Sequence, residues 1–191
     1  TQNLLSFTEA VAKLSIATTL TASQAAEALA KIREAFGLPI SDIENLGAVI
    51  NELENTTAAT TEEIVSAMKN IGAAGKMMGF TVDQAAALSA TLVAAGMAGE
   101  RAGTRLRRTF QQLAANASKI TKFMGDQGKA WAEALETDPM QALMMYLKKL
   151  NEIPSRVERM EKAHEHFGEI AGFAIATLAE NYPQLVKNME T

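Results

Sequence analysis

Along the chain, apolar residues recur three and four positions apart in short blocks. Each block is bounded by Gly, Pro or a cluster of Ser, Thr and Asp, which is the signature of successive amphipathic helices. The first block, residues 7–17, carries Val11, Leu14 and the pair Ser15-Ile16 in helical spacing and closes at Thr18-Thr19. Thr21-Ala-Ser-Gln24 matches a capping box, in which the Thr hydroxyl and the Gln side chain satisfy amides that a helix start leaves unpaired. The helix it opens places Ala25, Leu29, Ile32 and Phe36 on one stripe and ends at Gly37. After Leu38-Pro39, Ser41-Asp-Ile-Glu44 predicts a second capping box, and Leu46, Val49, Ile50 and Leu53 form the next apolar face.

Residues 61–114 are the centre around which the other elements pack. Thr60-Thr61-Glu62-Glu63 predicts a helix start with acids at its positive end, and Ile64, Ala67, Met68 and Ile71 supply its buried stripe. Gly72 and Gly75 leave room for a close neighbour or end the helix early. Thr81-Val-Asp-Gln84 is a third capping box, opening a helix of Ala, Leu, Ser, Thr and Val up to Ala95. A helix apolar on nearly all sides should be the most buried one. Residues 102–115 make a basic helix with Leu106, Phe110 and Leu113 turned inward, while Gly79, Gly96, Gly99 and Gly103 are expected at tight turns or close packing contacts. A capping Thr, a helix, a Gly beside a Phe and a polar restart occur twice at an offset of about 40 residues, as two stacked helical hairpins would give.

Beyond Ser118 the pattern loosens. Gly125 to Gly128 breaks a short helix, Trp131 and Leu135 begin another, and Asp138-Pro139 combines an N-cap acid with Pro at the first helical position. Met140, Leu143, Met144, Leu147 and Leu150 then form a long stripe, read as core rather than as a binding groove. After Pro154, Val157, Met160 and Phe167 mark a helix that Gly168 separates from residues 170–181, and Pro183 starts the last fragment. The expectation is an all-α protein of about ten short-to-medium helices packed as hairpins, without a β-sheet. Residues 1–116 form the core, and residues 117–191 are an extension packed on it or leading into a longer chain.

Composition supports this class. The chain of 191 residues is 48% hydrophobic but only 5% aromatic, so its core is built of small and straight-chain residues that suit closely packed helices. It holds no Cys, which excludes disulfides and thiolate chemistry. The first residue is not Met and the last residues still read as helix, so the chain looks like an excerpt. No secretory signal is visible, and the longest charge-free apolar run, residues 84–99, falls short of the roughly 20 residues a bilayer span needs.

Charge changes the picture more. The net −4 is uneven: residues 1–63 hold three basic against nine acidic residues, net −6, whereas residues 100–129 hold seven against two, net +5. Arg101, Arg105 and Arg108, four and three apart, share a helical face, and Arg107 points elsewhere. Two uses suit such a face: pairing with acids such as Glu62, Glu63 or Glu100 inside the fold, or contact with a polyanion or an acidic partner. Duplex DNA is a weaker match, because no aromatics interleave and no reading helix of known type is present.

Catalytic chemistry finds no constellation. His164 and His166 are two apart, hence on different sides of a helix, with no metalloprotease spacing. No phosphate loop or dinucleotide glycine pattern occurs, and no pair of carboxylates stands out as acid and base. Neither an enzyme nor a cofactor or metal site is expected.

Residues 61–114 resemble the conserved core region of phage tail tape-measure proteins. The matches are the Thr-Glu-Glu-Ile-x-x-Ala-Met-Lys helix ending at Lys69, the Gly79-Phe-Thr-Val-Asp-Gln-Ala-Ala-Ala-Leu88 restart, and a small-residue link into Ala102-Gly-Thr-Arg-Leu-Arg-Arg108. Residues 20–54 and Phe167-Gly168 also follow the family pattern, whereas residues 118–155 add little. The resemblance implies a mostly helical virion protein, made in the host cytoplasm and housed in the tail lumen or tip, that sets tail length during assembly and leaves with the DNA. Implied partners are further copies of itself, as a homotrimer or homohexamer, and tail-tube and tail-tip or baseplate proteins. Contact with DNA or with the host inner membrane during ejection is the alternative, and Arg101 to Arg108 is the expected contact surface.

Overall fold

Helix starts follow the capping signals with one exception. In the computed structural model, which describes residues 2–191, α1 (Gln2–Ala17) leads to α2 (Ala22–Phe36), where Thr21 and Gln24 form the reciprocal capping box and Gly37 ends the helix. The exception is Ser41. Behind Pro39, residues Ile40–Asp42 wind into a 3₁₀ turn, the Ser41 hydroxyl meets Asp42 Oδ1 at 3.0 Å, and α3 (Ile43–Thr56) starts without a side-chain cap. Thr60 caps α4 (Thr61–Ile71) by accepting the Glu63 amide. Gly72 ends α4, and a short turn, α5 (Ala74–Met77), unforeseen in the periodicity, precedes α6 (Val82–Ala94) with its Thr81–Gln84 capping box.

The basic helix, α7 (Gly99–Ala115), begins three residues earlier than its pattern suggests, because Gly99 is helical rather than part of the turn. The remainder is α8 (Ala117–Met124), α9 (Gly128–Thr137), α10 (Pro139–Asn151), α11 (Arg156–Glu180) and α12 (Tyr182–Met189), and no strand occurs among the described residues. Asp138 caps α10 by accepting the Gln141 amide, with Pro139 at the first helical position. The protein is all-α, and the helices number more than the ten or so expected.

α6 is the axis of the packing. Every residue from Ala85 to Val93 is buried, as its all-round apolar sequence demands, and α3, α4, α7, α11 and α12 pack around it. Buried Ser89 and Thr91 bond back to carbonyls four residues earlier, so their hydroxyls cost the core little. Asn188 of α12 donates to Thr91 Oγ1 at 2.9 Å, pinning the last helix onto α6. α7 lies between α4 and α11. α1 packs on α2 and α3 at one side, and α9 and α10 pair at the other, with the indole of buried Trp131 donating to the Ala142 carbonyl.

α11 is two helices joined by a sharp bend. Gly168 sits at φ 73°, ψ 172°, and a Cβ on Gly172 would lie 2.9 Å from the Ala163 carbonyl oxygen. In a straight helix those positions would be about 13 Å apart, so the second half folds back across the first. Not every apolar residue in helical spacing points inward: Ile16 and Val157 are exposed, and Val49 is half-buried. Each belongs to a helix whose partner covers only a narrow stripe, so helical spacing alone overstated the buried face.

Candidate functional site

The site is built on α7, whose two sides differ completely. Its inner side carries Ala102, Leu106, Phe110 and Leu113, all fully buried, with the Phe110 ring stacked on Phe80 at 4.2 Å between centroids. The crossing with α4 is backbone against backbone. A Cβ on Gly103 would collide with the Ala67 carbonyl oxygen and stand 2.7 Å from Asn70 Cβ, and one on Gly99 would stand 3.0 Å from the Glu63 carbonyl carbon. Only glycine fits at such a distance. The four singled-out glycines therefore divide: Gly79 and Gly96 turn the chain at φ 84° and 94°, whereas Gly99 and Gly103 are packing residues inside a helix.

The outer side is basic. Arg101, Arg107 and Arg108 are exposed, and Arg105 is half-buried with its guanidinium 4.5 Å above the Phe173 ring of α11. Arg101 and Arg105 meet Glu100, Thr104 and Ile170 at a shallow cleft, and Arg107 projects to another side of the helix. Among the described residues none of the four arginines makes an ion pair. Of the acids expected to pair with them, Glu62 accepts from the Thr19 hydroxyl and Glu63 from Thr60 at 2.9 Å, while Glu100 lines the cleft beside Arg101 and Arg105 without forming an ion pair.

Periodicity missed the contribution of α11 to this face. Ile170 and Phe173 are three apart on one side and both exposed, which places an apolar strip beside the guanidinium groups. The signal was present in their spacing but indistinguishable from that of a buried stripe.

One of the two histidines serves the fold. His166 is buried with Nδ1 2.8 Å from the Tyr146 hydroxyl, against the rings of Phe123 and Tyr146, and its carbonyl accepts from Asn116 Nδ2 at 2.9 Å. Burial holds its pKa below the usual imidazole value, with nearby Glu165 pulling the other way, and burial likewise raises that of the Tyr146 phenol. No group of three or more His, Asp or Glu with metal-binding geometry occurs among the described residues, and no helix among them is long and apolar enough to cross a membrane.

The family described as phage-related minor tail protein matches residues 1–168. The chain is also similar to a protein named tape measure protein from Pneumococcus phage Dp-1, at 29% identity over 108 residues. That match covers 56% of this chain but only 9% of the relative. No solved structure matches.

Proposed function

Because the chain belongs to the phage-related minor tail protein family and is related to phage tail tape-measure proteins, we propose that it is a folded section of the ruler that sets tail length, with the basic face of α7 as its assembly contact. The observation that carries the contact is the set of arginines on one helix, three of them exposed, that form no ion pair among the described residues. Charged side chains left without partners beside exposed apolar residues have the composition of a protein interface, where arginine and aromatics are enriched. In this reading the chain is a structural component without a catalytic task. Further copies of itself, tail-tube protein and tip or baseplate protein are its neighbours, in the tail lumen or at its tip, and it leaves with the DNA at ejection.

The test is complementation of a phage whose gene for this protein is disrupted. The full-length gene should restore tails, and in-frame deletions in helical parts should shorten them by about 1.5 Å per residue removed. Tails of unchanged length after such deletions would refute the ruler assignment. DNA contact by the same arginines is the second reading, favoured by their exposure, and steeply salt-dependent duplex binding that Arg101→Ala/Arg105→Ala/Arg108→Ala abolishes is the result it requires.

A further inference from the structure

We infer that the basic face of α7 docks onto the outer face of α1 in a second copy of this chain. This rests on the assembly reading above and names the nearest partner of that face. α1 is apolar on two opposite sides. Ala10 and Leu14 point into the core, whereas Leu5 and Ile16, 61% and 85% exposed, lie on the far side with exposed Glu9 between them. The outer strip has no cover from any described residue, and a second apolar face on a surface helix calls for a partner.

The basic patch complements it in kind and in sign. Ile170 and Phe173, 54% and 45% exposed, sit beside Arg101 and Arg105, and residues 100–129 carry net +5. On α1 itself, Glu9 is exposed and forms no ion pair among the described residues, whereas Lys13 is already paired with Glu44, and the helix belongs to residues 1–63, net −6. Apolar strip would cover apolar strip while the Glu9 carboxylate meets a guanidinium group, an arrangement that steers association and fixes orientation. DNA suits the patch less well, because Glu100 and Glu169 are exposed within it and a polyanion would leave Ile170 and Phe173 uncovered. The two patches are different surfaces, so the contact is heterologous and repeats into a ring or an open row.

Sedimentation velocity on the 191-residue chain tests this. The wild type should form species beyond a dimer as concentration rises, with affinity falling about tenfold or more between roughly 50 mM and 500 mM salt. Arg101→Glu/Arg108→Glu should be monomeric, and so should Glu9→Gln/Ile16→Gln; all four positions are exposed, and unchanged circular dichroism verifies folding. The decisive sample mixes the two variants. Each retains the patch the other lacks, so the mixture should form a one-to-one dimer that grows no further. A wild type monomeric at roughly 0.5 mM, an oligomer that survives the arginine reversal, or a mixture that stays monomeric overturns the inference. If the wild type is monomeric but the arginine reversal still prevents tail assembly in the phage, the self-contact falls and the assembly reading stands.

Discussion

The two faces of α7 obey different rules although they share one backbone. On the inner side, glycines and alanines let α4 approach to carbonyl contact, and Leu106, Phe110 and Leu113 fill what remains. On the outer side, long cationic side chains stand in solvent and Arg105 alone rests on a ring. The inner face has one solution and no tolerance for added atoms. The arginines of the outer face form no ion pair among the described residues, which is why we propose it as a surface for another molecule. Substitutions should separate the two: inner changes act on folding, and outer changes act on assembly.

The largest effect is expected at Phe110. Phe110→Ala removes a fully buried ring stacked on Phe80 and should cost about 4 kcal/mol of stability in urea unfolding. Next is the crossing, where Gly103→Ala forces a methyl into the Ala67 carbonyl and should cost about 2 kcal/mol as α4 and α7 separate. An undisturbed unfolding midpoint there would mean that the two helices are not in backbone contact. Smaller again is Tyr146→Phe, which leaves His166 Nδ1 without its buried partner and should cost about 1 kcal/mol.

His166 also gives the sign of a pH effect. Its folded pKa lies below the unfolded value of 6.5, so below that pH the unfolded chain binds the proton more readily than the folded one. This contribution to stability is complete above pH 6.5 and is lost as pH falls from there through the folded pKa, at a slope of up to about 1.4 kcal/mol per pH unit. Urea unfolding of His166→Gln against wild type at two pH values on either side of 6.5 should show the loss in the wild type alone.

Much of the inner face was legible before the fold. The capping boxes at Thr21 and Thr81 fixed two helix starts, and the unbroken apolar run from Ala85 to Val93 marked the axis of the core. The capping pattern at Ser41 failed because Pro39 and the 3₁₀ turn after it consumed the residues a cap would use. Gly99 and Gly103 could be flagged but not assigned, since a glycine that turns the chain and one that lets two backbones touch look alike until the neighbour is known. The outer face was legible as charge only. That Glu62 and Glu63 turn to Thr19 and Thr60, and that Glu100 beside Arg101 and Arg105 forms no ion pair with them, depends on tertiary placement that periodicity does not encode.

The smallest effect on folding should accompany the largest on assembly, and this contrast is the centre of the account. Arg101→Glu/Arg108→Glu should leave the thermal unfolding midpoint where it was, since both side chains stand in solvent without internal partners. Placed in the full-length protein of a phage that carries it, the same pair should prevent tails from assembling, as counted by electron microscopy of lysates. An unfolding midpoint unchanged with tails lost is the expected result; tails normal in number and length would contradict the assignment of this face.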